Sequence, residues 1–200
     1  MILGNKAIKE EMEKGNILIS PFHEDFLNNT SYDVRLDRYF IFPKTGDGSM
    51  DVTDKNLVEN LYESWLEADS IVLNPGEKVL ASTIEQIGSL SMGITSEIGA
   101  KSSFGRSVGL VCGCANGGDP GYATHWTLEL VNTSPHKVLL KYGTVIAQIR
   151  FSKVEGCDRL YSNKYNANGG KSRTYLPEER RAMIMPKALR VVIDDPQPIK

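Results

Sequence analysis

The sequence predicts an all-β domain with short helices. From residue 70 onward, short runs of alternating or apolar residues are separated by turns rich in Gly, Pro and Asn. Short strands at such regular spacing are typical of a β-sandwich or barrel and not of βαβ units. The chain has 200 residues, of which 40% are hydrophobic, and this is enough for one domain with a sizeable core.

The N-terminal segment predicts one helix and two strands. In NKAIKEEMEKGN, residues 5–16, Asn5 is the expected N-cap and Gly15 the expected left-handed stop. ILIS, residues 17–20, predicts a short strand. Residues 31–42, SYDVRLDRYFIF, alternate in character and predict a half-buried strand. Its apolar face carries Tyr32, Val34 and Leu36, and its charged face carries Asp33, Arg35 and Asp37.

The middle of the chain predicts a helix followed by many strands. Residues 54–69, DKNLVENLYESWLEAD, have apolar residues at i,i+4 spacing and predict an amphipathic helix between strands. Residues 70–83, SIVLNPGEKVLAST, predict a strand, an Asn-Pro-Gly turn and a second strand. Further β-rich runs occupy residues 88–99, 107–114, 124–132, 136–142 and 144–154.

The C-terminal forty residues have a different character. Residues 161–176 are polar and rich in Gly and Asn, which predicts a mobile segment. The last segment, PEERRAMIMPKALRVVIDD, predicts a helical turn and one short strand.

Composition argues against several classes of protein. Lys and Arg number 23 against 25 Asp and Glu, so a formal net charge of -2 gives no reason to expect nucleic-acid or membrane binding. The N-terminus lacks the apolar core of a signal peptide, and no stretch reaches the ~18 apolar residues of a membrane span. The three cysteines, without a secretory signal, favour reduced thiols in the cytoplasm.

The segment GAKSSFGR, residues 99–106, is the first candidate site. It places two cations and two hydroxyl groups within six residues: Lys101, Ser102, Ser103 and Arg106. Phosphate oxygens accept hydrogen bonds from such groups, and arginine can bind them with two parallel bonds. The segment does not have the glycine and lysine spacing of a P-loop. A polar turn with solvated charges is the alternative.

Glu129, in HWTLELVN, is the second candidate. Alternation places Trp126, Leu128 and Leu130 on one face of a strand, and Glu129 on the opposite face. A buried carboxylate there would have a raised pKa and could transfer protons near neutral pH. A solvated glutamate on an exposed strand face is the alternative.

Two further segments carry reactive or polar side chains. Cys112, Cys114 and His125 provide too few ligands for a structural zinc site, and the zinc-deaminase signature is absent, so free cysteines are expected. The segment YSNKYNANGG, from residue 161, could close over a ligand or form a plain surface loop.

Several of these segments, taken in order, resemble the deoxycytidine triphosphate deaminase branch of the trimeric dUTPase-like superfamily. The resemblance covers roughly residues 1–170, and residues 171–200 are expected to be a C-terminal extension that packs on the same domain. The motifs that carry the resemblance are NNTSYDVRL (28–36), LNPGEKVLAST (73–83), AKSSFGRSVGL (100–110), DPGYATHWTLEL (119–130), YGTVIAQIRF (142–151) and the tail pattern Y…KY…G (161–169). In the family the second motif is a hairpin. Several linked motifs are more specific than any single one.

The resemblance implies a fold and a reaction. It implies a distorted β jelly-roll of the dUTPase-like barrel or β-clip type, assembled as a homotrimer with active sites between subunits. It implies hydrolysis of dCTP to dUTP and ammonia, with Mg²⁺ carried by the substrate triphosphate and no catalytic zinc or other catalytic metal. The alternative is a dUTPase, or a bifunctional dCTP deaminase and dUTP diphosphatase that releases dUMP and pyrophosphate.

The resemblance also implies roles for individual residues. Glu129 matches the catalytic glutamate, Ala115 the residue whose carbonyl holds the attacking water, and Ser102 and Arg106 complete the site. Asp119 matches the residue that receives the sugar 3'-hydroxyl, and Tyr122 the aromatic ring beside the deoxyribose. The residues expected at the phosphates and in the closing tail are Lys101, Ser103, Gln148, Tyr161, Lys164 and Asn168.

The loop CGCANGG, residues 112–118, departs from the family pattern. The family usually has HxTAxxI in this stretch, where this chain has Cys112, Cys114 and Asn116 among glycines. The family threonine at position 114 is linked to inhibition by dTTP. The altered loop faces the base, so a modified pyrimidine triphosphate is a further candidate substrate, and a nucleotide-binding relative without turnover is the non-enzymatic alternative.

Overall fold

A computed structural model describes residues 1–46, 48–51, 61–63, 65–113 and 116–162 of the chain. In these ranges, helix α1 (Asn5–Glu13), a short 3₁₀ helix (Glu24–Phe26) and helix α2 (Ser102–Val108) accompany eleven strands. The strands are β1 (Ile17–Ser20), β2 (Tyr32–Ile41), β3 (Leu66–Glu67), β4 (Ser70–Leu73), β5 (Lys78–Ser89), β6 (Ile94–Ala100), β7 (Leu110–Cys112), β8 (Gly117–Gly118), β9 (Ala123–Asn132), β10 (Val138–Lys141) and β11 (Val145–Lys153).

Nine of these strands form one antiparallel sheet. Its order is β7-β9-β5-β2-β11-β6-β8, with β1 beside β5 and β3 beside β2. The sheet curls into a half-barrel. Strands β10 and β4 form a separate two-stranded sheet. The predicted all-β class is therefore confirmed, and every strand predicted from residue 70 to residue 154 is present.

The core contains buried side chains of β2, β5, β9 and β11. The largest side chains with no more than 1% exposure include Tyr32, Leu36, Phe40, Leu128, Leu130 and Phe151. Burial of large apolar side chains of this kind contributes about 1.5 to 3 kcal/mol each.

The prediction that β2 is half-buried is wrong. Its apolar face is fully buried, as expected, but Asp33 and Asp37 on the other face are also only 9% and 5% exposed. The reason is that partners from distant parts of the chain cover the charged face. Lys101 binds Asp33, and Glu85 binds Arg35.

Helix α1 forms where the sequence predicts it, with a different cap. Gly4 occupies the N-cap position, and Asn5 is already helical, with its side-chain oxygen accepting a hydrogen bond from the Lys6 amide. Ile8 is fully buried against the core. Gly15 has a φ of 73°, so the predicted left-handed stop is confirmed.

Strands β4 and β5 do not form the hairpin that the family motif implies. The Asn-Pro-Gly turn is present, and Gly76 has a φ of 78°. However, β4 pairs with β10, in the small sheet, while β5 pairs with β1, β2 and β9. The turn therefore carries the chain from one sheet to the other.

The predicted helix at residues 54–69 lies largely outside the described residues. Its predicted end is wrong, because Leu66 and Glu67 form β3 and pair with Phe40 and Tyr39 of β2. Trp65 packs against Tyr39, with ring centroids 5.5 Å apart. Backbone pairing with the end of β2 thus makes these two residues a strand, although their sequence spacing is helical. The predicted mobile segment, residues 161–176, lies outside the described residues from residue 163 onward, as do residues 171–200.

A buried ion pair joins β2 to β5 and provides a test of the fold. Glu85 has a fully buried side chain, and its two oxygens accept hydrogen bonds from Arg35 Nε at 2.6 Å and from the Arg35 amide at 2.8 Å. Glu85→Gln leaves the Arg35 charge uncompensated, so we expect a loss of about 3 to 5 kcal/mol of unfolding free energy in urea titrations.

The matched control for that substitution is Glu24→Gln. Glu24 pairs with Lys9 at the surface, where both side chains are largely exposed. We expect this control to change the unfolding free energy by less than about 1 kcal/mol. Equal effects of the two substitutions would contradict the structural role of the buried pair.

Candidate active site

The segment predicted to bind phosphates begins a helix. Lys101 precedes α2, and the helix ends at Gly109, which has a φ of 63°. The segment is therefore a short helix and not a turn, although the exposure of Arg106 agrees with the alternative of solvated charges. Ser102, Ser103 and Arg106 are exposed on this helix. Within the described ranges, none of their side chains forms a hydrogen bond or an ion pair, so their donors are available to a ligand.

Lys101 joins a polar cluster on the outer face of β2 and β11, which we call the β2–β11 cluster. Lys101 Nζ lies 2.7 Å from each oxygen of Asp33, and Asn28 donates to the same carboxylate at 2.9 Å. Gln148 lies opposite Asp33 in the sheet and accepts a hydrogen bond from Ser31 Oγ at 3.1 Å. Two residues predicted at the phosphates, Lys101 and Gln148, are thus brought together.

A small open cleft lies beside Gln148. Its volume is about 180 Å³, and it is lined by Glu97, Ile98, Gly99, Asn116, Gln148 and Arg150. Asn116 belongs to the loop that departs from the family pattern, and its carbonyl oxygen accepts a hydrogen bond from the Ile98 amide at 2.9 Å. The altered loop therefore lies at the same cleft as Gln148 in one chain.

Glu129 lies at a different place, on β9 opposite Leu80 of β5. The predicted alternation is confirmed, since Trp126, Leu128 and Leu130 are buried and Glu129 is half-buried. Its carboxylate makes no hydrogen bond or ion pair with any side chain in the described part of the chain. Glu129 is therefore a half-buried carboxylate, and neither a fully solvated one nor one tied to a partner.

Tyr62 is a neighbour of Glu129 that the sequence did not indicate. Burial raises the pKa of Tyr62, and the negative charge of Glu129 raises it further. Tyr62 also packs against Ile41 and Leu80, and these two residues lie in one row across the sheet with Glu129. The apolar residues around Tyr62 have helical spacing, so the sequence predicted a helix and did not indicate that Tyr62 lies beside Glu129.

The turn before β9 brings together two residues predicted around the sugar, Asp119 and Tyr122, and one predicted in the closing tail, Tyr161. Asp119 is exposed, and its carbonyl oxygen accepts a hydrogen bond from the Tyr122 amide at 2.8 Å. Tyr161 packs edge-on against Tyr122, with ring centroids 5.4 Å apart, and its amide donates to the Pro120 carbonyl at 2.7 Å. A cleft of about 520 Å³ lies here, lined by Asp119, Pro120, Cys157, Asp158, Arg159, Leu160, Tyr161 and Ser162.

Gly121 is required for this contact. A Cβ atom at Gly121 would lie 2.9 Å from both Leu160 Cβ and the Tyr161 nitrogen, and the residue has a φ of 92°. The segment around Tyr161 therefore packs closely on the turn. Lys164 and Asn168, predicted in the same tail, lie outside the described residues, as does Ala115.

His125 is a buried histidine that is hydrogen-bonded to the backbone of β5. It is 8% exposed, and its Nδ1 donates to the Thr83 carbonyl at 3.1 Å. Burial lowers the pKa of His125 to about 4, so the ring is neutral near pH 7. Among the described residues, no group of three or more His, Cys, Asp or Glu side chains could hold a metal ion. Cys112 is half-buried and forms no disulfide with a described residue.

The two ends of the predicted site are far apart within one chain. Gln148 lies opposite Asp33, which is the second residue of β2. Glu129 lies in line, across β5, with Ile41, which is the last residue of β2. Eight residues of extended chain correspond to roughly 25 Å. Gln148 and Glu129 therefore lie in rows of the sheet that are separated by most of the length of β2.

Comparisons with known proteins agree with this fold. A family model described as dCTP deaminase-like matches residues 2–154. A protein from Streptomyces avermitilis named "dCTP deaminase, dUMP-forming" is 37% identical over 192 residues, covering 88% of this chain and 96% of its own. A protein of the same name from Methanopyrus kandleri is 33% identical over 177 residues, covering 84% and 91%.

A solved structure supports the fold class independently. The crystal structure of 2'-deoxycytidine 5'-triphosphate deaminase from Agrobacterium tumefaciens matches with a TM-score of 0.57 and 18% identity, covering 75% of this chain and 47% of that one. None of the helices in the described part of the chain has the length and apolar character needed to span a membrane.

The family model and the relatives match most of the length of this chain, and the chain has the ordered motifs and a curled antiparallel sheet. These findings show that the chain belongs to the dCTP deaminase-like family.

Proposed function

We propose that this protein converts dCTP to dUMP, with release of ammonia and pyrophosphate. The observation that carries the proposal is the name of its relatives. Those from Streptomyces avermitilis, Streptomyces griseus and Streptomyces coelicolor are 35% to 37% identical over most of the chain, and all are named dUMP-forming. These names favour the bifunctional alternative over the simple dCTP deaminase that we expected first.

Glu129 is the proposed base for deamination. Water adds to C4 of cytosine while Glu129 takes one of its protons and passes it to N3. The same carboxylate then takes the proton of the hydroxyl group on C4 and passes it to the amine, which leaves as ammonia while the C4 carbonyl forms. A half-buried carboxylate without a hydrogen-bonding partner in the described ranges is free to orient a water molecule and to accept its proton. Ala115, through its carbonyl oxygen, is the proposed second contact to that water.

The second reaction is hydrolysis of the phosphoanhydride bond. A second water adds to the α-phosphorus atom, and pyrophosphate leaves. We assign the phosphate chain, with the Mg²⁺ that it carries, to the exposed donors of α2 and to Lys101 and Gln148 in the β2–β11 cluster. The sugar is assigned to the turn that holds Asp119 and Tyr122, closed by Tyr161, Lys164 and Asn168.

We propose a homotrimer with active sites between subunits, and the separation of these parts within one chain supports sites that are shared between subunits. Gln148 and Glu129 lie in rows of the sheet that are separated by most of β2. If each site takes its phosphate-binding end from one subunit and Glu129 from another, both ends can contact one nucleotide. The partners are therefore dCTP and other copies of this chain.

The test is a product analysis. The protein is incubated with Mg²⁺ and dCTP, dUTP or 5-substituted dCTP, and products are resolved by ion-exchange chromatography with an ammonia assay. We expect dUMP, ammonia and pyrophosphate in equal amounts from dCTP. Accumulation of dUTP would mean that the protein only deaminates dCTP. Failure to consume any deoxynucleotide would contradict the proposal.

A further inference from the structure

Arg150 lines the cleft beside Gln148, and the sequence motifs did not assign it a role. The two residues are two positions apart on β11, so both side chains lie on the outer face of the sheet. Ile149 and Phe151, which alternate with them, are fully buried in the core. The strand therefore directs Gln148 and Arg150 toward the same cleft of about 180 Å³.

Arg150 forms no ion pair within the described part of the chain, although a carboxylate faces it from the neighbouring strand. It is exposed and lies opposite Glu97 on β6. Neither side chain makes an ion pair or a hydrogen bond with any residue in the described ranges. The nearby cation Lys101, by contrast, is held by both oxygens of Asp33. Arg150 is thus the cation of this cleft whose guanidinium group is available to an anion.

The cleft has room for a ligand between β11 and β6. Gly99 lies opposite Gln148, and a Cβ atom built on Gly99 would meet no atom within 4 Å. Asn116 and Gln148 line the cleft and carry amide groups that can donate hydrogen bonds. Glu97 on β6 repels anions. A phosphate in the cleft is therefore expected near Gln148 on β11 and not near Glu97.

We propose that Arg150 is a further substrate-binding residue, which holds the terminal phosphates of the nucleoside triphosphate with two parallel hydrogen bonds. This inference rests on the proposed function, because it assigns the phosphate chain to the neighbourhood of Gln148. It adds a cation at a position where the motifs that define the family resemblance require none.

The test compares Arg150→Gln with Lys141→Gln. Lys141 is exposed on β10, in the separate two-stranded sheet, so its substitution removes the same charge away from the cleft. Inorganic tripolyphosphate is titrated by calorimetry, and KM and kcat are measured for dCTP. We expect Arg150→Gln to weaken tripolyphosphate binding and to raise KM by about tenfold. We also expect kcat and the inhibition constant of dCMP to change by less than about twofold in this variant.

The outcomes separate this inference from the proposed function. If dCTP is consumed but Arg150→Gln behaves like Lys141→Gln, Arg150 does not bind phosphate and the proposed function stands. If dCTP is not consumed but tripolyphosphate binding still depends on Arg150, the proposed function fails and the polyphosphate site stands. Equal tripolyphosphate affinities in both variants overturn the inference in either case.

Discussion

Glu129→Gln is expected to lower kcat for deamination of dCTP by about a thousandfold or more, because the amide cannot take a proton from water. The substitution preserves the size of the side chain, and Glu129 forms no hydrogen bond or ion pair with a described residue. The fold and the affinity for the triphosphate should therefore be retained. Ammonia release measures the first effect, and calorimetry with tripolyphosphate measures the second.

The matched control for this experiment is Glu155→Gln. Glu155 follows β11 and is exposed, so the same change of charge occurs away from the proposed site. We expect kcat and affinity to stay within about twofold of the wild-type values. If Glu129→Gln weakened tripolyphosphate binding as much as it lowered turnover, Glu129 would have a structural role and not a catalytic one.

Local patterns were sufficient to place Glu129 on its strand. The residues from Trp126 to Leu130 alternate strictly, and a period of two assigns each side chain to one face of a strand. The position of Gly15 directly after a helical segment is also a local signal. It predicted a left-handed glycine that ends the helix, and Gly15 has this conformation. Where the signal lies within a few adjacent residues, the prediction and the structure agree.

Contacts between distant segments could not be predicted in this way. Asp33 and Lys101 are 68 positions apart in the chain, and their ion pair buries the face of β2 that we expected to be solvated. The partner of β4 is β10 and not the adjacent β5, because the turn at Gly76 leads into a different sheet. Strand pairing and the environment of charged residues depend on the whole fold, which local periodicity does not contain.

The separation of Gln148 from Glu129 gives the second prediction with a large effect. A chain with Glu129→Gln and a chain with Gln148→Ala and Arg106→Ala should each be inactive as pure proteins. If every site combines Glu129 of one subunit with Gln148 and Arg106 of another, co-expression at equal levels restores activity. In a random mixture, half of the sites receive an intact Glu129 and, independently, half receive an intact phosphate-binding end. About a quarter of the sites have both, so we expect about a quarter of the wild-type activity in the mixed oligomers.

The control for this complementation uses two defects at the same end of the site. Gln148 lies in the β2–β11 cluster, and Arg106 lies on the helix that follows Lys101, so we assign both to one subunit of each site. Mixing a Gln148→Ala chain with an Arg106→Ala chain should therefore restore nothing, because every phosphate-binding end retains one defect. Recovery of activity in this control, or its absence in the first mixture, would contradict the proposed division of the site between subunits.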